Sequence, residues 1–245
     1  MFGKNPIRKI DMAPEDGKLA VQEVFYTLQG EGPFTGHHAV FIRLAGCHLA
    51  CTFCDTEFES NINNRLTAQQ VVDHANLSLP GGLSVVPIVV ITGGEPMRQR
   101  LGPLVNLLHA HGYKHVQIET AGNSWEAELE HWLDLDFLTV VCSPKTAHVH
   151  KSVQLFCHHW KYVVKHDSVG SDGLPRIPTQ ANAMLPPWNV NQFKPAWTQT
   201  DTVWISPCDD HEIAQTNLNV NTAVRVCLEQ GYRLSLQTHK IVDVR

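Results

Sequence analysis

Strand-like and helix-like segments alternate along most of this chain, and that alternation restricts the possible folds more than any other feature of the sequence. Eight apolar runs rich in β-branched residues are predicted to be strands: VQEVFYT, AVFIRLA, VPIVVIT, HVQIET, FLTVVC, KYVVK, TVWIS and RLSLQ. Helices between successive strands indicate βα units, in which the strands are mostly parallel. With 245 residues, the chain has the length of an α/β barrel that folds as one domain.

Capping residues delimit the predicted helices. Thr67 is suited to the N-cap of the first helix, and Gly231 is suited to the end of the last. The four predicted helices cover residues 67–79, about 101–111, 125–133 and 222–230. The alternation is absent from about residue 166 to residue 200, a segment rich in Pro and Asn that is predicted as a long insertion or loop. Residues 1–20 are predicted as a short N-terminal extension, and residues 1–245 as a single domain.

Charge and hydropathy exclude two classes of partner. The formal net charge of -5 gives no basic surface for direct nucleic-acid binding. The uncharged stretch 75–94 is interrupted by Pro80, Gly81, Gly82 and Pro87, so no membrane-spanning helix is predicted. The N-terminus lacks the apolar segment of a secretory signal, which predicts a cytoplasmic protein.

Three cysteines lie within eight residues, directly after the strand AVFIRLA. Cys47, Cys51 and Cys54 therefore occupy a loop at the carboxyl end of a strand, where α/β barrels place their chemistry. Their spacing suits thiolates that surround one inorganic centre. The four remaining cysteines are widely scattered and are predicted to be small buried residues of the core.

The number of thiolates limits what that centre can be. A zinc ion would need a fourth ligand, for which His48, His37 or His38 is available. A ferredoxin-type cluster needs a fourth cysteine at a set spacing, and none follows nearby. A four-iron cluster held by three thiolates leaves one iron open to a small molecule. The triad favours this open-site cluster, with zinc or purely structural cysteines as the alternatives.

The C-x3-C-x2-C spacing, with Phe53 before the last cysteine, resembles the radical S-adenosylmethionine (SAM) superfamily. A second motif agrees with it in type and order. ITGGEP at 91–96 ends an apolar run and resembles the GGE motif of that superfamily. Two glycines, Gly93 and Gly94, permit a close approach of the backbone, and the carboxylate of Glu95 suits the methionyl ammonium of SAM.

Further motifs narrow the resemblance to the 7-carboxy-7-deazaguanine synthase family. They are FYTLQGEGPFTG at 25–36, IETAG at 118–122, SPK at 143–145 and LSLQTHK at 234–240. The resemblance implies an α/β fold, a modified and incomplete (β/α) barrel of the radical SAM type, and a homodimer. It implies conversion of 6-carboxy-5,6,7,8-tetrahydropterin to 7-carboxy-7-deazaguanine with loss of ammonia. This radical ring contraction, by a carbon-nitrogen lyase, belongs to queuosine and deazapurine biosynthesis and thus to a tRNA modification pathway.

The resemblance also implies the cofactors and the residues that bind them. The cofactors are a 4Fe-4S cluster, SAM and Mg2+, with a flavodoxin-like electron donor. The implied substrate contacts are Leu28, Gln29, Gly30, Glu31, Arg43, Thr120 and His239. The implied SAM contacts are Phe53, Gly93, Gly94, Glu95, Gly122, Ser143, Pro144 and Lys145. The implied metal ligands are Cys47, Cys51 and Cys54 for the cluster and Thr56 for Mg2+. No side chain is expected to be catalytic, because the SAM-derived radical carries the chemistry.

The sequence gives chemical reasons for the roles of Arg43 and Glu31, and it predicts a position for His239. Arg43 lies mid-strand in an apolar run, where an unpaired charge is costly, so it would pair with a substrate carboxylate or with a structural partner. Glu31 lies between two glycines and could accept a pair of N-H donors from the pyrimidine edge of a pterin. His239 and Lys240 are expected to close the last strand.

Two rival functions use the same cysteine triad. A glycyl-radical activase would act on a protein backbone, and the stretches TLQGEG and QTHK argue against it. A non-enzymatic iron-sulfur or zinc protein would leave ITGGEP and IETAG without a purpose. Turnover of a pterin separates the first rival from a synthase, and a SAM-binding titration separates the second.

Overall fold

The computed structural model of the chain describes residues 16–81, 85–133, 135–176, 193–195 and 200–244. The described strands are β1 (Leu19–Leu28), β2 (His38–Leu44), β3 (Arg65–Leu66), β4 (Ile88–Gly93), β5 (Val116–Thr120), β6 (Leu138–Cys142), β7 (His159–Val164), β8 (Val203–Pro207) and β9 (Arg233–Leu234). The described α-helices are α1 (Ala68–Ser78), α2 (Gly102–Ala110), α3 (Glu130–Leu133), α4 (Lys151–Phe156), α5 (Ile213–Gln230) and α6 (Thr238–Ile241).

These strands form one sheet in the order β3-β1-β2-β4-β5-β6-β7-β8-β9. From β2 to β9 the neighbours are parallel and follow the order of the chain, whereas β1 pairs antiparallel with both β2 and β3. Each parallel strand is added on the same side of the one before it, so the right-handed crossovers place their helices on one face and the sheet curls. The edge strands β3 and β9 do not pair with each other, which leaves the barrel incomplete. The predicted fold class is confirmed.

Side chains on each parallel strand alternate between a helix-covered outer face and an inner face. On β2, Val40 and Ile42 belong to the hydrophobic core, whereas Arg43 lines an interior cavity. On β7, Tyr162 belongs to the core and Lys161 lines the same cavity. Because successive side chains of a strand point to opposite faces, one strand can supply both packing and binding groups. The core therefore lies outside the barrel wall, and polar groups face its interior.

All eight predicted strands are present, with one correction at the C-terminal end of the last. The strand predicted from RLSLQ is paired in β9 only over Arg233–Leu234. Ser235 then turns toward the loop between β1 and β2, where its hydroxyl accepts a hydrogen bond from the Gly32 amide at 2.9 Å. The prediction that His239 and Lys240 close this strand was wrong, because both residues lie in the short helix α6.

The predicted helices match the structure to different degrees. α1 begins after Thr67, which forms a reciprocal capping box with Gln70, and α2 lies within its predicted range. The segment 125–133 contains a 3-10 turn followed by the single-turn helix α3. The short helix α4 and the two-residue strand β3 were not predicted.

The largest error concerns α5, which begins at Ile213, nine residues before the predicted start at residue 222. Its first half is rich in Asn, Thr and Gln, which gives a weak helical pattern. Tertiary contacts stabilise that half instead. Asn219 is fully buried, its amide donates to the Cys208 carbonyl and to Asp210, and its side-chain oxygen accepts from the His166 amide.

The sequence predicts an N-terminal extension at 1–20 and an insertion or loop at about 166–200. Of these two segments, residues 1–15, 177–192 and 196–199 lie outside the described residues. Strand β1 begins at Leu19, inside the stretch 1–20, and residues 166–176 include a turn closed by a bridge between Val169 and Pro175. The division into one domain with an extension and an insertion stays a prediction. Within the described part of the chain, no helix is long and apolar enough to cross a membrane.

Candidate active site

The site begins at the loop between β1 and β2, residues 29–37. This loop lies at the N-terminal ends of the parallel strands, since β1 runs antiparallel to them and Leu28 pairs with His38. Gln29 donates to Glu119 of β5 at 3.1 Å, and the Gly30 carbonyl accepts from the Thr238 amide at 3.0 Å. The loop therefore bridges strands in the middle of the sheet and the segment after its last strand. It forms one wall of an interior cavity of about 390 Å³.

The cysteine loop and the GGE turn form a second wall, and two glycines explain their contact. The Gly94 amide donates to the Leu44 carbonyl, and the Glu95 amide donates to the Gly46 carbonyl, each at 3.0 Å. A Cβ on Gly94 would collide with the Gly46 carbonyl, and a Cβ on Gly93 would collide with the backbone of Leu44. Gly93 also has φ of +131°, a conformation that L side chains rarely adopt. Glycine is required at both positions because the two loops touch through their backbones.

All three cysteines of the triad line the cavity. Cys47 is buried, and Cys51 and Cys54 are half-buried. Burial, followed by the nearby charge of Glu95, raises the pKa of the Cys47 thiol, and burial likewise raises the pKa of Cys54. Iron offsets this cost, because a coordinated thiol is held as thiolate. The donor set therefore fits a cluster whose irons each take one thiolate.

The zinc alternative requires several ligand side chains around one ion. Nowhere in residues 16–81, 85–133, 135–176, 193–195 and 200–244 do three or more His, Cys, Asp or Glu side chains converge on one metal ion. Of the alternative zinc ligands, His37 is exposed and its ring contacts the Phe34 carbonyl at 3.1 Å.

Glu95 joins the GGE turn to the end of β5. Its carboxylate accepts hydrogen bonds from the Thr120 hydroxyl at 2.6 Å, the Ala121 amide at 2.7 Å and the Met97 amide at 3.2 Å. Full burial raises its pKa, although these hydrogen bonds act in the opposite direction. A carboxylate has about four acceptor positions, so these three donors leave room for about one more. The predicted contact of Glu95 with SAM stays a prediction.

A buried ion triad forms another part of the cavity lining. The ammonium of Lys161, on β7, donates to Glu31 at 2.6 Å and to Glu119 at 3.1 Å. Burial alone would raise the pKa of Glu31, but Lys161 lowers it to about 2. Burial alone would lower the pKa of Lys161, but the two carboxylates raise it further than burial lowers it. Glu31 and Lys161 therefore form a buried ion pair.

Arg43 lies in the cavity beside the last cysteine of the triad. Its Nε donates to Glu23, its cross-strand neighbour on β1, at 2.8 Å, and its Nη1 donates to the Thr56 hydroxyl at 3.3 Å. The position of Arg43 is compatible with both a structural partner and a substrate carboxylate. The salt bridge with Glu23 uses one edge of the guanidinium, and the other edge reaches the cavity. Thr56 also donates to Asp55 at 3.4 Å, so these two residues offer adjacent oxygens to Mg2+. A role of Thr56 in binding Mg2+ stays a prediction.

Two cationic side chains complete the described lining. Lys145 stacks over the Phe53 ring at 5.8 Å and donates to the Ser143 carbonyl at 2.9 Å, and burial lowers its pKa. Lys240 donates to Asp55 at 3.2 Å and to Asp209 at 2.8 Å. Lys240 therefore ties α6 to the loop that carries the cysteines.

Most of the residues implicated by sequence meet in this cavity. Its lining includes Leu28, Gln29, Glu31, Arg43, Cys47, Cys51, Phe53, Cys54, Thr56, Gly93, Gly94, Thr120, Ser143, Lys145 and His239. Four others lie behind the lining: Gly30, Glu95, Gly122 and Pro144. Gly30 packs directly on the His239 ring, and a Cβ on Gly122 would collide with the sulfur of Cys142. These two glycines shape the wall without facing the cavity.

Sequence reasoning missed Lys161, Glu119 and Ser206. Lys161 and Glu119 lie in strands that were predicted correctly, and a charged residue inside an apolar run is the signal that could have identified them. Ser206, on β8, is 4% exposed and lines the cavity. Its hydroxyl has no hydrogen-bond partner among the described residues. A ligand or a water molecule in the cavity can supply the hydrogen bond that this hydroxyl lacks.

Comparison with known proteins agrees with this geometry. The model of the Radical SAM superfamily matches residues 41–166. A 7-carboxy-7-deazaguanine synthase of Rhodospirillum rubrum is 40% identical, with 100% of each chain covered. The synthase of Rickettsia prowazekii is 36% identical over 100% of this chain and 96% of the relative, and that of Bacteroides thetaiotaomicron is 32% identical over 92% and 98%.

A solved structure with a similar fold is the crystal structure of QueE from Escherichia coli. The TM-score is 0.60 at 23% sequence identity, and the match covers 89% of this chain and 93% of that one. At this identity the likeness concerns the fold, and it extends over nearly the whole length of both chains.

Proposed function

Because this chain belongs to the 7-carboxy-7-deazaguanine synthase family of the radical SAM superfamily, we propose that it converts 6-carboxy-5,6,7,8-tetrahydropterin to 7-carboxy-7-deazaguanine in queuosine biosynthesis. It is a radical SAM enzyme, and its cofactors are a 4Fe-4S cluster and SAM. The reaction releases ammonia, which makes the enzyme a carbon-nitrogen lyase. One observation carries the proposal: the cysteine triad and the Glu31 carboxylate line a single cavity.

Each wall of the cavity has a distinct task in this proposal. Cys47, Cys51 and Cys54 would hold the cluster, which would supply the electron for the radical cleavage of SAM. The rest of the cavity lining then has to orient the pterin toward the bound SAM and exclude competing partners. Glu31 accepts N-H donors of the pyrimidine edge, and Arg43 binds the substrate carboxylate at the other end. The two groups lie on different elements, so they fix the ligand at both ends.

Turnover of the pterin is the direct test. Protein reconstituted anaerobically with iron and sulfide, then supplied with SAM, Mg2+ and a reductant, is expected to form 7-carboxy-7-deazaguanine and ammonia from 6-carboxytetrahydropterin. Liquid chromatography with mass spectrometry detects the product. A reconstituted protein that cleaves SAM without consuming the pterin contradicts the substrate assignment, and the glycyl-radical activase then becomes the leading alternative.

Sensitivity to oxygen is a second expectation. An iron without a protein ligand is open to small molecules and therefore to oxidants. Protein purified in air is expected to contain substoichiometric iron and to be inactive until it is reconstituted, as measured by iron analysis and turnover. Full activity in air without reconstitution contradicts a radical mechanism.

The partners and the remaining metal are proposed on the family resemblance. We propose a homodimer, a flavodoxin-like electron donor, a cytoplasmic location and Mg2+ bound near Thr56. The adjacent oxygens of Thr56 and Asp55 support the metal assignment, because Mg2+ takes oxygen ligands and completes its shell with water and substrate.

A further inference from the structure

The ammonium of Lys161 has more hydrogen-bonding capacity than its two partners use. A lysine ammonium carries three N-H donors. In the described part of the chain, Nζ donates to Glu31 Oε2 and Glu119 Oε2, which accounts for two of them. Lys161 lines the cavity, so a ligand in the cavity can reach the third donor.

The two carboxylates beside Lys161 differ in how much capacity they retain. Glu119 accepts from Gln29 at 3.1 Å, from Gln117 at 2.8 Å and from Lys161. Glu31 accepts from Lys161 and interacts with Gln237. With about four acceptor positions on each carboxylate, Glu31 keeps about two for a ligand and Glu119 keeps about one. Glu31 is therefore the ligand-facing acceptor, and Glu119 mainly positions Lys161.

We propose that Lys161 and Glu31 together recognise one edge of the ligand, which presents an acceptor followed by two donors. Lys161 donates to the acceptor, the ring carbonyl, and Glu31 accepts from the two donors. This inference rests on the proposed function, because the pyrimidine edge of a pterin presents a C4 carbonyl, an N3-H and a 2-amino group in that order. Lys161 would thus be a specificity-determining residue for the 4-oxo group. The product keeps the same edge as a guanine-like ring, so it competes with the substrate for the same contacts.

The acceptor and two donors on the ligand edge explain why a charged lysine, Lys161, is buried in this wall. A neutral donor in place of Lys161 would leave two buried carboxylates uncompensated, which is costly. A second cation would compete with the donors of the ligand for the Glu31 carboxylate. One ammonium between two carboxylates satisfies both conditions and still leaves a donor for the ligand.

Two pteridine acids that differ at C4 test the proposal by binding alone. Pterin-6-carboxylate has a carbonyl at C4 and a hydrogen on N3, whereas 2,4-diaminopteridine-6-carboxylate has a 4-amino group that would face the ammonium and an N3 without hydrogen that would face Glu31. The cluster-loaded enzyme with SAM and without reductant is expected to bind the 4-oxo acid about 10- to 100-fold more tightly, since a donor facing a donor leaves both unsatisfied. Pteridine fluorescence measures both dissociation constants.

Substitution of the lysine provides the second arm. In Lys161→Gln the amide can still donate to the two carboxylates, but the cation facing C4 is gone. Its preference for the 4-oxo acid is expected to fall by about fivefold or more relative to the wild type, and the part that remains comes from the N3-H donor to Glu31. Lys165→Gln is the matched control, because Lys165 follows the same strand, pairs with Asp210 and does not line the cavity. That variant is expected to keep the wild-type preference.

The possible failures are distinguishable. Equal binding of the two acids by a wild-type enzyme that turns over 6-carboxytetrahydropterin overturns the inference alone. A preference that is as large in Lys161→Gln as in the wild type also overturns it. A wild-type enzyme that binds neither acid and does not turn over the pterin overturns the substrate assignment together with the inference. Should Lys161→Gln not fold, the wild-type comparison of the two acids still decides the proposal.

Discussion

Replacing any one of Cys47, Cys51 or Cys54 by alanine is expected to abolish cluster assembly and turnover. Each thiolate would hold a different iron, and the fourth iron already lacks a protein ligand, so loss of a second protein ligand leaves the cluster too weakly held. The remaining cysteine that lines the cavity, Cys208, follows β8, which four strands separate from β2 in the sheet, so it is not part of the loop that holds the cluster. Iron and sulfide content after anaerobic reconstitution measures assembly, and deazaguanine formation measures turnover.

Cys227→Ala is the matched control for these variants. Cys227 is half-buried on α5, on an element that does not contribute to the cavity lining. The substitution removes one sulfur from the packing around α5 and leaves the triad intact, so iron content and rate are expected to match the wild type. Retention of a full cluster by an alanine variant of the triad would contradict the open-site interpretation. Activity of an iron-free, zinc-loaded protein would contradict it as well.

Glu31→Gln is expected to lower kcat/KM for the pterin by at least about 10- to 100-fold while cluster content and SAM binding stay at the wild-type level. The substitution converts one accepting oxygen into a donor that faces a donor of the ligand, and an unsatisfied buried group costs about 1 to 3 kcal/mol. The fold should survive, because Glu119 still compensates Lys161 at 3.1 Å. The cluster lies on another wall of the cavity and should be unaffected.

Glu57→Gln controls for the loss of a carboxylate outside the cavity. Glu57 is exposed, hydrogen-bonds Ser60 and Gln22, and does not line the cavity. Its substitution should leave kcat/KM unchanged. Turnover of the pterin at the parent rate by Glu31→Gln would contradict the role of Glu31 in recognition, even if the radical chemistry were confirmed. Loss of iron from Glu31→Gln would instead show that the carboxylate supports the fold.

Much of this fold and site was predictable because the relevant signals are local. β-Branched apolar runs indicate strands wherever they occur, and the strand predicted from AVFIRLA is found as β2. The capping box of Thr67 and Gln70 depends on residues three positions apart, so the start of α1 was also predicted. The loop with Cys47 to Cys54 follows its strand directly, and its position at the cavity required only the topology of parallel strands.

The errors occurred where distant contacts override local preference. The first half of α5 has weak helical propensity, yet buried Asn219 secures it through three hydrogen bonds to other elements. The segment after Leu234 was predicted to continue as a strand. Instead, the Thr238 amide donates to the Gly30 carbonyl, 208 positions away, and α6 forms there. Local propensity does not contain such contacts, because the partner is supplied by another part of the chain.

The sequence by itself determined the predicted strands along the chain, the cysteine triad and the family motifs, since each depends on residues that are close along the chain. The tertiary structure alone decided how the cavity is charged. Lys161 and Glu31 are separated by 130 positions, and Lys161 and Glu119 by 42. Neither KYVVK, which contains Lys161, nor IETAG, which contains Glu119, indicates that these charges pair. The curled sheet brings β5, β7 and the β1–β2 loop to one wall, and burial there makes charge compensation obligatory.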